Sequence, residues 1–317
     1  MHSLCSRVTL NTHTNSEMRV DLVITWDTRT QREILGDTLK LKIMTTANIQ
    51  LTDEKETLFI PLSGKALDYR SKNSVLNDRT ANDIVEKVDY DFATQEGFGA
   101  RIGARTLAVR AKQYDEWTKD FITKNKNAVV VHLGCGLDAR ITRVQPPSTV
   151  AWFDIDYPEV ISLRKEFYSE TNEYSMIESS ITASDWLEII PADRPAFIIA
   201  EGVLEYLSEA EVKTLLNRLT TYFSHGQIAF DVMNSFVIGL GNKNLKDTTG
   251  AVDILKWAVD DLTEIDKLNP KLKRMEVVSR IKSVFIDKLP YGHRLIFGLL
   301  SLSSKHKNAM RLVRFEF

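Results

Sequence analysis

The stretch His132-Leu133-Gly134-Cys135-Gly136-Leu137-Asp138-Ala139-Arg140 follows directly on the apolar run Ala128-Val129-Val130-Val131. Glycines at the end of a buried strand let the backbone come close to a ligand and let the next helix aim its N-terminus at it. Gly134 and Gly136 are therefore candidate binding residues. A tight strand-to-helix turn would need the same two glycines, so the pair alone decides little. The spacing adds more. Asp156 stands 20 residues beyond Gly136, at the end of a second apolar run, Val150-Ala151-Trp152-Phe153. A carboxylate there can accept hydrogen bonds from both hydroxyls of an adenosine ribose. The same carboxylate could cap the helix that Pro158 opens.

Two cofactor classes use this layout. Gly134-x-Gly136-x-x-Ala139 matches the dinucleotide fingerprint, which points to a nicotinamide-dependent oxidoreductase. Asp138, however, falls in the first turn of the following helix. A carboxylate there opposes a pyrophosphate and suits a ligand carrying an ammonium or a sulfonium. That favours S-adenosylmethionine.

Regular alternation of elements must hold these residues in place. A helix with Leu107, Tyr114, Trp117 and Phe121 in phase runs to about Thr123. Strands follow at 128–133 and 150–153, then a helix from Pro158 to about Ser169, and strands at 175–181 and Ala196-Phe197-Ile198-Ile199-Ala200. Ser208 and Glu211 form a capping box for a helix to about Phe223. A fifth strand covers 227–232, and the alternating Met310–Phe317 reads as the last. Strands alternating with helices predict a doubly wound, mostly parallel α/β sheet. Residues 237–285, with an apolar patch at Ile254, Leu255, Trp257, Ala258 and Leu262, read as a helical insertion.

The 317 residues carry 41 basic and 43 acidic side chains, a net charge of −2, which leaves no electrostatic footprint for nucleic acid or an anionic membrane. No apolar run approaches the roughly 20 residues of a membrane span. Two cysteines, Cys5 and Cys135, cannot form a disulfide framework, and no zinc spacing surrounds them. A cytoplasmic chain is expected. Three segments are predicted: a leader at 1–43, either a real arm or sequence ahead of a start at Met44; a helical cap at 44–127; and the sheet-bearing part at 128–317. Nothing in the sequence specifies an oligomeric state.

Several segments together resemble the leucine carboxyl methyltransferase family, which includes bacterial polyketide O-methyltransferases. These are 130–140, Trp152-Phe153-Asp154-Ile155-Asp156-Tyr157-Pro158, Ser184-Asp185-Trp186 and Ala200-Glu201-Gly202-Val203-Leu204-Glu205-Tyr206-Leu207. Glu56–Leu62 and Arg105-Thr106 are also similar to the family's N-terminal portion. The resemblance implies a Rossmann-like, class I methyltransferase fold. It implies that Arg105 holds the methionine carboxylate and that Gly134 and Gly136 line the methionine part. Asp156 would take the ribose, Asp185 the adenine amino group, Trp186 the adenine surroundings, and Glu201 the ammonium or sulfonium side. A carboxylate set directly after a run of apolar strand residues also needs a partner on its own account. Tyr206 is the best candidate for the acceptor pocket. His132 and Cys135 are expected to pack near the loop, and His293 is not fixed at any site.

The expected activity is methyl transfer from S-adenosylmethionine to a carboxylate or hydroxyl oxygen of a small molecule or a peptide C-terminus, with no metal. A nicotinamide-dependent oxidoreductase and a non-catalytic adenosyl-ligand binder are the alternatives.

Overall fold

A computed structural model describes residues 57–88, 98–249, 252–279, 283–289 and 291–317. The predicted leader at 1–43 lies outside them. Among the described residues, three helices precede the first strand: α1 (Phe59–Tyr69), α2 (Arg79–Val85) and α3 (Phe98–Lys124). Asp78 caps α2 by accepting from the Ala81 amide. Of the stripe predicted in α3, Tyr114, Trp117 and Phe121 are buried and Leu107 is half-buried, with Ala108 and Ala111 buried beside them.

The alternating part follows as β1 (Val129–Leu133), α4 (Arg140–Val144), β2 (Ala151–Asp156), α5 (Pro158–Lys165), β3 (Tyr174–Glu178), β4 (Ala196–Ala200), α6 (Glu209–Tyr222) and β5 (Gly226–Met233). Then come α7 (Ser235–Thr249), α8 (Thr263–Leu268), β6 (Lys273–Ser279), α9 (Tyr291–Leu300), α10 (Ser304–Lys307) and β7 (Met310–Glu316). The capping box of α6 forms as expected, with Ser208 and Glu211 satisfying each other's amides.

The seven strands lie in the order β3-β2-β1-β4-β5-β7-β6. β1 to β5 run parallel, and β7 is antiparallel to both β5 and β6. Side chains alternate across this sheet. Val130, Trp152, Phe197 and Ile199 share a core with Phe59, Ile84, Tyr114, Phe121 and Val160 on one face. Val129, Val131, Leu133, Ile198 and Ala200 share another with Leu215, Leu219, Trp257 and Ile265 on the other face. Buried on both sides, β1 and β4 consist of continuous buried runs, as central parallel strands do.

The strand order reverses at β1, where β2 departs on one side and β4 on the other, and ligands bind at such a switch point. The register explains which residues meet there. Leu133 pairs with Ile155 and with Ala200. The next residue of each strand, Gly134, Asp156 and Glu201, therefore emerges side by side at the carboxyl edge.

The insertion differs in detail from its expectation. It contains α7 and α8, but also the edge strand β6, whose Lys273-Arg274-Met275 start is exposed and carries no apolar alternation to betray it. The apolar patch at 254–262 is not helical. Leu255, Trp257 and Val259 are buried at alternate positions. Extended backbone there is held by Lys256 and Trp257 amides donating to the Glu205 carbonyl and by Val259 donating to that of Met233. Ile254, Trp257 and Ala258 mimicked a helical stripe, but the burial follows a period of two. Among the described residues, no helix is long and apolar enough to cross a membrane, and no three His, Cys, Asp or Glu side chains gather as a metal site.

Candidate active site

Gly134 and Gly136 both take left-handed backbone, with φ of 60° and 50°. A Cβ on Gly134 would lie 2.3 Å from Val203 Cγ2, so that position admits only glycine. The Asp156 carboxylate accepts from the Gly136 amide at 2.8 Å and from the Tyr157 amide at 2.8 Å. It is thus not the cap of α5, whose N-cap is Tyr157. Burial pushes the Asp156 carboxyl up to about 6, against the pull of those two amides.

A cavity of about 290 Å³ opens over this edge. Gly134, Gly136, Asp156, Glu201 and Tyr206 line it, and Leu58, Leu62 and Leu107 close it from the helices before β1. Tyr206 donates its hydroxyl proton to Thr57 Oγ1 at 3.1 Å. A cradle of left-handed glycine beside an acidic strand end fits a nucleoside with a cationic tail.

The charges around this cavity are paired in a buried net. Glu201 accepts from Arg110 Nε at 2.8 Å through one oxygen and from Arg140 through the other. These two guanidinium groups outweigh burial and hold its carboxyl down at about 2. Arg110 also reaches Asp231 at 3.0 Å. Asp138 meets Lys65 at 2.6 Å, Arg143 at 2.8 Å and Arg140 at 3.3 Å. Although its side chain is only 8% exposed, those cations keep it well below the usual carboxylate range.

Asp138, like Arg140, was expected in the first turn of the helix after the loop, but α4 begins at Arg140 with Ala139 as its N-cap, so Asp138 lies just ahead of the helix. With three cations on it, it cannot select the ligand by its own charge. The case against a pyrophosphate rests on another ground: the Gly136 amide, which a phosphate at this loop would use, already donates to the Asp156 carboxylate.

The other expected residues divide. Arg105 does not line the cavity. Its guanidinium donates to Asp68 at 2.7 Å and to the Asn73 carbonyl at 2.6 Å, within the helices before β1. Trp186 does not line it either; it is 1% exposed and belongs to the core under the sheet. Asp185 is exposed and accepts from the hydroxyl of Ser179, itself a lining residue. His132 lines the cavity, but its Nε2 accepts from Arg140 at 3.0 Å, and burial lowers its basicity. Cys135 is buried, and its thiol is pushed up. His293 is not among the lining residues.

Arg110 and Lys65 were missed. Arg110 sits five residues beyond Arg105, about 140° around the helix, so the two arginines face different surroundings. The readable signal was its phase. Leu107, Arg110, Tyr114, Trp117 and Phe121 form one stripe, and a charge on an apolar stripe requires a buried partner.

A glycine loop at the switch point of a sheet in which the antiparallel β7 is inserted between β5 and β6 gives the class I methyltransferase fold. Two solved structures share it. One is a putative methyltransferase from Thermobifida fusca, with a TM-score of 0.50 and 13% identity, covering 80% of this chain and 93% of that one. The other is a DUF574-family protein from Streptomyces avermitilis, with a TM-score of 0.52 and 10% identity, covering 80% and 96%.

Residues 59–220 match the family model of leucine carboxyl methyltransferase, and the chain belongs to that family. Tetracenomycin polyketide synthesis O-methyltransferase TcmP of Streptomyces glaucescens is 35% identical over 271 residues, 85% of this chain and 98% of the relative. The S-adenosyl-L-methionine-dependent methyltransferase dpfgK of Gibberella zeae is 32% identical over 249 residues, 72% and 83% of the two chains. The protein is an S-adenosylmethionine-dependent methyltransferase, and the oxidoreductase alternative falls.

Proposed function

We infer that the acceptor is a carboxylate oxygen on a small molecule with a largely apolar body. One observation carries this reading. Of the cavity-lining groups that could take a proton, Glu201 is committed to two arginines, Asp138 to three cations, Asp156 to two amides and His132 to Arg140; the other lining carboxylate, Glu205, is buried at 5% exposure. A carboxylate is ionised at neutral pH and needs no general base, whereas a phenol or alcohol does. Leu58, Leu107 and Met233 supply apolar walls for the body of such a molecule. The relative's name places its O-methylation in polyketide synthesis.

S-adenosylmethionine supplies a methyl group activated on a sulfonium. Gly134 and Gly136 would leave room for its methionine part, and Glu201 would face the ammonium. Asp156 would accept from the ribose hydroxyls, and Asp185 would meet the adenine amino group at the exposed rim. Lys65 or Arg110, which line the cavity where Arg105 does not, would hold the methionine carboxylate. The helices within 44–127 act as the cap that excludes water, and the remaining task of the protein is alignment for in-line displacement.

Two measurements check this. Given aromatic carboxylic acids and matched phenols, the enzyme is expected to form methyl esters, with kcat independent of pH between about 7 and 9. Preference for phenols, with kcat rising along their ionisation, overturns the carboxylate reading. Asp156→Asn is expected to weaken S-adenosylhomocysteine binding by about 1–3 kcal/mol in calorimetric titration. The wild-type affinity should also fall as pH drops through about 6, where Asp156 takes up its proton. An unchanged, pH-flat affinity removes its ribose role.

A further inference from the structure

Arg164 is 0% exposed and does not line the cavity, yet its guanidinium reaches the glycine loop. Nη1 donates to the Gly136 carbonyl at 2.9 Å, Nη2 to Asp154 Oδ2 at 2.5 Å, and Nε to the Tyr174 hydroxyl at 3.1 Å. The Tyr174 hydroxyl in turn donates to Asp154 at 2.7 Å, and the Trp152 ring nitrogen donates to the other Asp154 oxygen at 2.7 Å. Asp154 is itself fully buried. A guanidinium presents its donors in one rigid plane, so fixing two of its edges on Asp154 and Tyr174 fixes the third. That third edge is the one on Gly136.

Gly136 is consequently held at both ends of its residue. Its amide is bound by Asp156 from β2, and its carbonyl by Arg164 from α5. The next carbonyl, of Leu137, accepts from the Tyr168 hydroxyl at 3.1 Å, and the Tyr168 ring lies 4.1 Å from the Arg164 guanidinium carbon. A left-handed glycine has many alternative conformations, and an unheld one would exchange among them. Binding then requires ordering the loop, which weakens affinity by the fraction of time it spends elsewhere.

We propose that Arg164 is a positioning residue for cofactor binding, clamping the Gly136 carbonyl so that the glycine loop is shaped before the adenosyl ligand arrives. The inference rests on the placement of the cofactor at this loop, argued above. Arg164 touches neither cofactor nor acceptor and acts only through the backbone it holds.

The test uses the full chain with S-adenosylhomocysteine as the probe, in the variants Arg164→Lys, Arg164→Met and Asp156→Asn. Affinity is read by calorimetry, and amide hydrogen exchange is followed in peptides covering 134–138, β1 and α5. Arg164→Lys keeps the charge beside Asp154 but not the planar fork. It is expected to fold, to bind the probe about 10- to 100-fold more weakly, and to exchange faster at 134–138 while β1 and α5 stay protected. Arg164→Met, where it folds, should lose more. If Arg164→Lys binds as the wild type does, the positioning role is overturned. It is equally overturned if exchange rises uniformly across all three peptides, which marks general destabilisation. Asp156→Asn separates the two levels of inference. Weak binding there with normal binding in Arg164→Lys removes only the clamp, whereas full binding in Asp156→Asn displaces the cofactor from this loop and the clamp's purpose with it.

Discussion

Glu201→Gln is expected to lose about 3–5 kcal/mol of stability, the cost of breaking a buried ion pair from one side. Glu201 sits at the centre of the buried net, between Arg110 and Arg140, with its side chain 3% exposed. An amide offers one acceptor oxygen where the carboxylate offers two, and its NH2 would face a guanidinium. Arg110 would keep only Asp231 at 3.0 Å, and Arg140 would keep Asp115 at 3.0 Å and Asp138 at 3.3 Å. The pH dependence follows from the same pair. The folded carboxyl is held at about 2 against an ordinary 4.5. Its contribution is therefore complete above about 4.5 and lost as pH falls toward 2. Urea denaturation at pH 7 and pH 3 checks both parts: the gap between wild type and variant should be wide at pH 7 and narrower at pH 3. Equal midpoints at pH 7 remove the claim that this pairing holds the cap helix α3 to the end of β4.

Gly134→Ala carries the second large effect. Alanine in the left-handed region costs about 1–2 kcal/mol. The new methyl would also lie 2.3 Å from Val203 Cγ2, and Val203 has a branched, stiff side chain. Overpacking of this kind typically adds about 1–3 kcal/mol. Because Gly134 is the first residue beyond β1, the loop would move as a unit, and adenosyl binding should fall below detection in calorimetry. The double variant Gly134→Ala, Val203→Ala distinguishes the two costs. It should recover the overlap portion of the thermal stability and leave the backbone portion lost. No recovery would mean that the backbone conformation alone excludes a side chain.

Local signals were legible because local physics produces them. The run from Val129 to Leu133 marks a strand buried on both faces. The Ser208–Glu211 capping box needs only residues three apart. Gly134, Gly136 and the strand-end Asp156 follow from the strand–turn–helix repeat, and register then brings Asp156 and Glu201 beside Gly134. In contrast, β6 is an edge strand with a solvated surface, and neither burial nor alternation marks it in the chain.

The class of sheet, the glycine loop and the acidic strand ends can be read along the chain, because each is encoded within one element or one repeat. Which cations meet the acidic groups depends on how distant segments pack. Lys65 meets Asp138 across 73 residues, and Arg110 meets Glu201 across 91. Periodicity places Arg110 on the buried stripe of α3 and Arg105 on another face, but it does not say what lies opposite either one. Pairing of buried charges depends on what surrounds each charge in space. For that reason Asp138, whose charge was the ground for preferring a cationic ligand, is neutralised in the fold by Lys65, Arg143 and Arg140.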